Sequence, residues 1–518
     1  MEFFTTATKK DLFARILNDF TSKELAFINR ACEFSDDVMA THSPRGNGQP
    51  YSTHYYSAAL MSAVSCGDAE TIATLILHDC MEDGKLNAHG KIRDVRENDI
   101  ILALSNKGEY QEESRSVARS VAALTNFKRE EFGGDRLKTR AANFLKATEA
   151  FVKYDKVITG RMYDRLHNML TITDKPGLEK QQETSYDTLN VLCPFAKSLG
   201  MYDIAVKMED IAFSILMPEE YTRTKKILQD RQNETLTEII KTKDFYSSLL
   251  EKKYIPHKMQ IGYISLYSLY QSLQNNGDRS NQIHNLRVIN PIILSDDLDM
   301  CHDAKRILKT SGDFTLCRGL DKDYITIPKD NFYQATHTVL HGRDTGSLYQ
   351  IQICSETMYK INHYGYPAYL ALKANHPNRK MFDGIYMSKK RTINDILAIG
   401  ASSEEEYNLS ENLNNELFGN IITVYTPQGT PILLPVGSIP HDFAYRLKTS
   451  IGNHMFSARI NGQRIEELEG FTTELNNGDC VVIDHHPGYK LPRETRAKVL
   501  EYVKTAGARA RMAPGVAS

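Results

Sequence analysis

Leu75–Gly84 reads LILHDCMEDG, and this stretch predicts both the fold and the chemistry of the N-terminal part of the chain. Three apolar residues lead into the adjacent pair His78 and Asp79, and Glu82 and Asp83 follow at four-residue offsets. Residues four apart lie on one face of a helix, so a helix here would gather an imidazole and three carboxylates. The alternative interpretation is a solvated acidic helix end that contains a single histidine.

Two separate stretches favour a metal site over that alternative. GQPYSTHYYSAAL places His54 after a Gly/Pro loop and at the start of an apolar segment, and MYDRLHNML places Asp164 on another segment with helical spacing. The combined set contains two imidazoles and two carboxylates: His54, His78, Asp79 and Asp164. We expect it to bind one divalent ion, and Mn²⁺ suits these nitrogen and oxygen ligands better than a thiolate-seeking metal.

The ligand set also predicts which neighbouring residues do chemistry. A divalent ion with open positions lowers the pKa of a bound water, and Glu82 and Asp83, one turn beyond the ligands, are the candidate catalytic residues that move its proton. Asn168, one turn beyond Asp164, is predicted to reach a substrate sugar or the surroundings of the metal. His167 is predicted either to pack in the core or to support a ligand.

Length and composition set limits on the class of protein. A chain of 518 residues fits about three domains of ~150 residues. Its 41% hydrophobic and 25% charged residues are typical of soluble globular proteins. A net charge of −2 excludes a global attraction to nucleic acid or anionic membranes, so any polyphosphate site must be locally basic.

Cysteine usage, the N-terminal sequence and the lengths of the apolar runs predict the cellular location of the protein. Eight cysteines occur without a CxxC pair, which favours reduced thiols over a disulfide framework or a zinc site. The N-terminal residues lack a signal pattern, and no run of eighteen apolar residues occurs. We therefore expect a cytoplasmic protein with no membrane partner.

The three stretches resemble the hydrolase motifs of the RelA/SpoT family, which read approximately GEPYxxHP, LLHDxxED and KxADRLHNM. The chain has GQPYSTHY, LILHDCMED and RMYDRLHNM in the same order. The resemblance implies an HD-type hydrolase that uses Mn²⁺ to convert ppGpp or pppGpp into GDP or GTP and pyrophosphate. Such a protein would control the alarmone level in the stringent response.

The resemblance also points to substrate-binding residues. In the family an Arg-Lys-Ser-Gly run holds the guanine end of the nucleotide, and the matching residues here include Arg45 and Asn47. Thr171 is retained after the HNM motif, and with Asn168 it completes the predicted substrate contacts. The lysine of the family's run is absent, so hydrolysis of another nucleotide phosphorylated at the 2′ or 3′ position is an alternative. Arg45 and Thr171 could equally be ordinary exposed polar residues.

From about residue 255 the pattern becomes mixed, with β-rich runs such as RVINPIIL, YITI and LYQIQIC between helical pieces. This segment resembles the family's synthetase domain but carries Arg287 and Gln350 where the family has two metal-binding acids. Phosphoryl transfer without those carboxylates loses its main electrostatic support, so synthetase activity is predicted to be absent. The segment keeps three residues of the family's synthetase domain: Tyr333, Gln334 and His337. They either support the fold or belong to a nucleotide-binding pocket that remains from an ancestral synthetase.

The last segment, ITVYTPQGTPILLP and its continuation, resembles a TGS domain, a small β-grasp module whose first hairpin would turn at Pro427–Gly429. Lys448 stands where many relatives have a histidine that contacts tRNA in ribosome-bound forms. The further C-terminal modules of long relatives are not seen, so binding to the ribosome or tRNA is not expected. A regulatory protein or nucleotide acting through the synthetase-like or TGS domain is the partner we expect besides the substrate.

These inferences predict a multidomain protein. The predicted segments are an all-α HD-type hydrolase domain (1–217), a helical connector (218–250), a degenerate α/β synthetase-like domain with a mixed sheet (251–400), a linker (401–420), a β-grasp TGS domain (421–485) and a basic tail (486–518). A second alternative function is a non-catalytic alarmone-binding regulator. The complete set of metal-ligating and acidic residues argues against it, since a decayed site would have lost some of them.

Overall fold

A computed structural model describes most of the chain. The described residues are 3–88, 91–106, 108–125, 146, 148–174, 177–262, 264–276, 288–310, 314–317, 319–342, 347–400, 414–465 and 471–513. Contacts group the chain into two compact units, each made of non-contiguous stretches. The first comprises Met1–Phe20, Ser43–Asp68 and Met162–Leu372, and the second comprises Thr21–His42, Ala69–Arg161 and Lys373–Ser518.

The N-terminal part of the chain is helical, as predicted, apart from one short hairpin. Its elements are α1 (Lys9–Ile16), α2 (Ser22–Val38), α3 (Ser52–Val64), α4 (Ala69–Leu77), β1 (Lys85–Ala88), β2 (Lys91–Asp94), α5 (Glu97–Leu104), α6 (Gln111–Leu124), α7 (Asp155–Leu170), α8 (Leu178–Asp187), α9 (Cys193–Ser198) and α10 (Tyr202–Leu216). The antiparallel hairpin β1–β2 was not predicted, because its sequence KLNAHGKIRD has little apolar alternation.

Helix starts in this part follow ordinary capping chemistry. Thr8 and Asp11 form a reciprocal capping box at the start of α1, and Thr21 and Glu24 form another at the start of α2. Helices α3 and α4 are buried almost along their whole lengths, which explains why nearly every residue in YYSAALMSAV and ETIATLIL is apolar or small.

A single long helix, α11 (Pro218–Glu251), occupies the segment predicted as a connector. Its C-terminal half does more than connect, because Ile239, Tyr246 and Leu250 belong to the hydrophobic core of the following α/β region. The hydroxyl of Tyr246 donates a 2.6 Å hydrogen bond to the carbonyl of Ala304 in that region. The helix therefore packs on the α/β region as an integral element.

The α/β region contains the predicted mixed sheet. Its elements are β3 (His257–Gly262), α12 (Leu266–Asn276), β4 (Val288–Ile293), α13 (Leu298–Thr310), β5 (Phe314–Leu316), β6 (Lys322–Asp323), β7 (Thr336–Gly342), β8 (Leu348–Ser355), α14 (Glu356–Tyr364) and α15 (Tyr366–Leu372). The next helix, α16 (Arg379–Gly400), belongs to the second unit, where its Ser388 hydroxyl accepts a 2.9 Å hydrogen bond from the Leu433 main-chain N–H. The strand order is β3-β4-β8-β7-β5 with β6 beside β7, and β4 runs parallel to β8 while the other pairs are antiparallel.

One strand prediction in this region is wrong. The YITI run, residues 324–327, forms a turn after β6 instead of a strand. The side chain of Asp323 accepts hydrogen bonds from the main-chain N–H groups of Ile325 and Thr326, at 2.9 and 3.2 Å. This local carboxylate competes successfully with strand pairing for the backbone donors.

The C-terminal part has the predicted β-grasp elements. They are β9 (Ile421–Tyr425), β10 (Pro431–Pro435), α17 (Pro440–Leu447), α18 (Thr449–Asn453), β11 (Met455–Ile460), β12 (Gln463–Ile465) and β13 (Val481–His485). The hairpin β9–β10 turns where predicted, at a glycine, Gly429, with φ of 77°. A parallel bridge between Tyr425 and Cys480 links this hairpin to the β12-β11-β13 sheet.

The basic tail packs on the β-grasp region through two helices. It forms α19 (Arg493–Tyr502) and α20 (Ala506–Met512), and Val499 and Met512 share a core with Ile439 and Ala444 of the β-grasp region. The buried carboxylate of Asp442 accepts a 2.8 Å hydrogen bond from the Thr505 main-chain N–H. Among the described residues, no helix is both long and apolar enough to cross a membrane.

Candidate metal centre and active site

Helix α4 ends at Leu77, so the prediction that a helix continues through Gly84 is wrong. The Nδ1–H of His78 donates to the carbonyl of Leu75 across 2.7 Å, the carbonyl that a continuing helix would pair with the N–H of Asp79. One helix-like turn nevertheless follows, because the Asp83 N–H donates to the Asp79 carbonyl at 2.9 Å. The ring of His78 thus ends the helix and is oriented by doing so.

His78 and Asp79 form the first of two histidine–carboxylate pairs. His78 is 5% exposed, and its Nε2 lies 3.2 Å from Oδ2 of Asp79. Since Nδ1 carries the proton, Nε2 of the neutral ring presents a lone pair toward an acceptor oxygen. Two acceptors at this distance repel each other unless a metal ion or a second ring proton supplies positive charge, so this pair is suited to hold a cation.

His54 and Asp164 form the second pair. His54 lies in the first turn of α3 and is 2% exposed, and its Nε2 lies 3.3 Å from Oδ1 of Asp164 on α7. Asn168, one turn later on α7, donates a 2.6 Å hydrogen bond to the same carboxylate oxygen. This bond fixes the orientation of Asp164, as expected for a carboxylate that binds a metal.

Three of the four predicted ligands lie close together. His54, His78 and Asp79 each offer one ligand atom, and these three atoms lie within 4.8 Å of one another. Ligands bound to one ion at about 2.0–2.2 Å are themselves about 3–4 Å apart, so these separations suit a single divalent ion. Asp164 adds an oxygen through its contact with His54. Imidazole and carboxylate donors fit a divalent cation of intermediate hardness.

His167 hydrogen-bonds a predicted ligand, although sequence reasoning did not decide between this role and simple packing. It is completely buried, its Nδ1 lies 2.8 Å from Nδ1 of His54, and its Nε2 lies 3.3 Å from the carbonyl of Thr5. Burial, reinforced by the neighbouring charges of His54 and Arg45, lowers the pKa of His167 to about 2. The ring is therefore neutral at physiological pH.

The predicted catalytic acids, Glu82 and Asp83, occupy the turn after Asp79. Both main-chain N–H groups donate to the Asp79 carbonyl, at 3.1 Å for Glu82 and 2.9 Å for Asp83. Glu82 is half-buried, whereas Asp83 is exposed with Nε2 of His42 at 3.7 Å from its carboxylate. The two acids thus follow a metal-ligand candidate directly and differ in their access to solvent.

The predicted substrate loop is attached to the end of α7. Arg45 donates a 3.0 Å hydrogen bond to the Thr171 hydroxyl, which in turn donates to the carbonyl of His167. Asn47 donates a 2.8 Å hydrogen bond to Asp174, a residue that sequence reasoning missed. A Cβ on the intervening Gly46 would overlap the Asp174 carbonyl oxygen, so the close approach of the two backbones requires glycine.

In the synthetase-like region, Gln350 lies on β8 and its amide contacts Nδ1 of His337 at 3.2 Å. The Tyr333 hydroxyl contacts Nε2 of the same ring at 2.7 Å. Burial, with the charge of Lys329 and its neighbours, lowers the pKa of His337 to about 4. An amide therefore stands at one of the positions expected for a metal-binding acid, and Arg287, at the other, lies outside the described residues.

Comparison with known domain families identifies three regions in this order. Residues 31–202 match an HD domain, residues 263–377 match the region found in RelA and SpoT proteins, and residues 422–483 match a TGS domain. The fold and the histidine–aspartate cluster therefore define a multidomain protein with an N-terminal HD domain.

Relatives cover nearly the whole chain. The chain is 29% identical over 90% of its length to a probable guanosine-3′,5′-bis(diphosphate) 3′-pyrophosphohydrolase of Synechocystis, covering 57% of that protein. It is 28% identical over 90% of its length to the bifunctional (p)ppGpp synthase/hydrolase SpoT of Escherichia coli, covering 62% of that protein. It is also 29% identical over 90% to a probable GTP pyrophosphokinase of Mycobacterium leprae, covering 55%. The chain spans less than two thirds of the length of these relatives.

Proposed function

We propose that the chain is a metal-dependent hydrolase that converts ppGpp or pppGpp into GDP or GTP and pyrophosphate. The observation that carries this proposal is the pair of buried histidines, His54 and His78, each with Nε2 within 3.3 Å of a carboxylate oxygen. The names of several relatives, which include 3′-pyrophosphohydrolases, support the choice of substrate. The physiological role that follows is control of the alarmone level in the stringent response, in the cytoplasm.

The proposed ligands are His54, His78, Asp79 and Asp164, and the proposed ion is Mn²⁺. When bound, the ion acts as a Lewis acid that activates water and offsets phosphate charge. The chain contributes oriented ligands, because the Leu75 carbonyl and Asn168 hold His78 and Asp164 in place. Nitrogen and oxygen donors without thiolate support Mn²⁺ over softer ions.

Proton transfer is assigned to Glu82 and Asp83. Glu82 is half-buried, so its carboxylate is partly shielded from bulk water and suited to take a proton from the attacking water. Asp83 is exposed and suited to pass a proton to the leaving pyrophosphate or to solvent. Both belong to the turn that begins at Asp79, so movement of that turn would displace ligand and base together.

Arg45, Asn47, Asn168 and Thr171 are the proposed substrate contacts. The Thr171 hydroxyl holds the Arg45 guanidinium at 3.0 Å, which leaves further donors of the guanidinium for a nucleobase or phosphate. Asn47 donates to Asp174, and its amide oxygen accepts a 3.1 Å hydrogen bond from the Gln49 main-chain N–H, so a ligand would use its second N–H or its second oxygen lone pair. The absence of the family's lysine keeps a different nucleotide with a 2′- or 3′-phosphate as the second candidate substrate.

The synthetase-like region is proposed to lack synthetase activity and to act in regulation. Gln350 cannot ligate Mg²⁺ as a carboxylate does, and its amide contacts His337. A regulatory protein or nucleotide that binds this region or the TGS domain is the proposed partner. The alternative of a non-catalytic alarmone-binding regulator predicts nucleotide binding without turnover.

Purified protein assayed with Mn²⁺ against ppGpp, pppGpp and a panel of 2′- and 3′-phosphorylated nucleotides tests the proposal. The expected result is release of pyrophosphate from ppGpp or pppGpp that stops on chelation and returns with Mn²⁺. Turnover of another panel member alone would support the second substrate, and tight ppGpp binding without any turnover would support the regulator. An Asp164→Ala variant, which removes one ligand, is the matched control for contaminating phosphatases.

A further inference from the structure

A series of three close polar contacts runs from the N-terminal segment to the proposed metal site. The carbonyl of Thr5 faces Nε2 of His167 at 3.3 Å, and Nδ1 of His167 faces Nδ1 of His54 at 2.8 Å. The outer nitrogen of His54, Nε2, then faces the Asp164 carboxylate at 3.3 Å. Both rings are essentially inaccessible to solvent, so water does not replace these partners.

The direction of every proton in this series follows from its first member. A carbonyl oxygen can only accept, so Nε2 of a neutral His167 carries the proton and its Nδ1 carries a lone pair. That lone pair must receive a proton from Nδ1 of His54. His54 is then unprotonated at Nε2, the atom that faces Asp164, which is the tautomer that binds a metal.

Each of the two tautomer arrangements places one pair of acceptors against each other, since the arrangement above leaves the Nε2 lone pair of His54 facing the Asp164 carboxylate until a cation binds. If Nδ1 of His167 carried the proton, its Nε2 lone pair would point at the Thr5 carbonyl, and His54 would be left protonated at Nε2. A proton there would have to leave before a metal could bind. The Thr5 carbonyl therefore favours the tautomer of His54 that can bind a metal, whereas the Asp164 carboxylate favours the tautomer protonated at Nε2 until a cation occupies the site.

The N-terminal segment is held in position by a second contact. The main-chain N–H of Ala7 donates a 3.0 Å hydrogen bond to the buried hydroxyl of Ser57, one turn after His54 on α3. The capping box of Thr8 and Asp11 then starts α1 immediately afterwards. Thr5 is thus fixed between an anchor on the helix that carries His54 and the first helix of the chain.

We propose that His167 is a positioning residue that sets the metal-binding tautomer of His54. Because the Thr5 carbonyl accepts the Nε2 proton of His167, the Nδ1 atom of His167 accepts the Nδ1 proton of His54, and Nε2 of His54 is then unprotonated. This inference rests on the proposed function, since it assumes that His54 binds a divalent ion. It assigns a role to His167 that is separate from the ligands and from Glu82 and Asp83. It also makes residues 5–7 part of the metal site without any of them touching the ion.

The test compares two substitutions by Mn²⁺ titration of metal-free protein, with bound and free ion distinguished by electron paramagnetic resonance. His167→Leu removes the acceptor, and the Kd for Mn²⁺ is expected to rise 10- to 100-fold, the range typical for loss of a group that orients a metal-ligating histidine. His167→Asn keeps an acceptor oxygen near the Nδ1 position, and its Kd is expected to stay within about threefold of the unmodified protein.

A matched control separates this role from general effects of losing a buried histidine. His376 is also buried, accepts a 3.2 Å hydrogen bond from the Asn378 N–H and stacks on Phe382, far along the chain from the proposed ligands. His376→Leu is expected to leave the Kd for Mn²⁺ unchanged. Equal weakening in His167→Leu and His167→Asn, or an unchanged Kd in His167→Leu, overturns the inference.

A measurement on the unmodified protein covers the case in which His167→Leu fails to fold. Nitrogen-15 NMR of the histidine-labelled protein loaded with Zn²⁺, a diamagnetic divalent ion, is expected to show His167 protonated at Nε2 and unprotonated at Nδ1. The opposite tautomer overturns the inference whatever the variants do. If the unmodified protein binds no Mn²⁺ at all, the proposed function itself fails, and this result is distinct from normal binding that is insensitive to His167.

Discussion

His78 donates its Nδ1–H to the main-chain carbonyl of Leu75 across 2.7 Å. This contact ends α4 and leaves Nε2 of His78 facing the carboxylate of Asp79. A residue of the proposed ligand set is therefore also the residue that ends the helix. Because the contact uses the protonated nitrogen, the unprotonated nitrogen is directed to the site.

The first prediction concerns the metal. His78→Ala and Asp79→Ala each remove one ligand of the proposed set, so bound Mn²⁺ and hydrolysis are expected to disappear together. Elemental analysis after dialysis measures the metal, and His341→Ala, an exposed histidine on β7, is the matched control. Undiminished metal in both ligand variants would show that these residues do not bind it.

The second prediction separates the proposed base from the ligands. Glu82→Gln keeps the side-chain volume but removes the basic carboxylate, so Mn²⁺ and nucleotide are expected to bind normally. Turnover is expected to fall by a factor on the order of 10² to 10⁴, the range for loss of a positioned general base. The control is Glu113→Gln in the exposed first turn of α6, which should leave turnover unchanged. Near-normal turnover would leave the role to Asp83, and lost metal would make Glu82 a ligand.

The third prediction concerns the substrate loop. Arg45→Ala removes the guanidinium held by Thr171, and the KM for ppGpp is expected to rise about tenfold or more, since a charged hydrogen bond contributes about 1.5–3 kcal/mol. The value of kcat should change less than threefold, because Arg45 is not proposed to act on the reacting bond. Steady-state kinetics measure both constants, with Arg119→Ala on the exposed face of α6 as the control. A fall in kcat at constant KM would contradict this assignment.

The fourth prediction concerns synthesis. Protein incubated with ATP, GDP and Mg²⁺ is expected to form no ppGpp, because Gln350 and Arg287 are proposed to stand at the positions where phosphoryl transfer requires carboxylates. Separation of labelled nucleotides, with a heat-inactivated sample as the control, measures this directly. Synthesis above that control would mean that other acids bind the metal and that the proposed alignment is wrong.

The fifth prediction concerns stability. Gly365 has φ of +69°, and a Cβ there would overlap the carbonyl oxygen of Leu199 and the main chain of Gly200. Gly365→Ala is expected to cost about 2–4 kcal/mol, combining backbone strain with overpacking. Gly319 has φ of +85° with open space around it among the described atoms, so Gly319→Ala should cost only about 1 kcal/mol. Urea denaturation followed by circular dichroism compares the midpoints, and equal shifts would contradict the role of the close contact.

The sequence by itself determined the candidate ligand set and the order of the domains. The offsets in LILHDCMEDG and MYDRLHNML depend only on local spacing, and apolar periodicity is enough to predict the helix that ends at Leu77, the helix that contains MYDRLHNML, and strands in the sheet and β-grasp regions. The prediction of the hairpin β9–β10 succeeded for the same reason, because Pro427–Gly429 is a local turn signal. Each of these features is specified by residues that are neighbours along the chain.

Only the tertiary structure decided which groups hold the ligands in place. The end of α4 at Leu77, the turn at Asp323 and the bond from Asn47 to Asp174 each depend on a side chain outcompeting regular backbone pairing or reaching a distant partner. The contacts from Thr5 to His167 and from His167 to His54 join residues 162 and 113 positions apart. Sequence spacing carries no information about such pairs, because hydrogen bonds and burial depend on distances that only the folded chain defines.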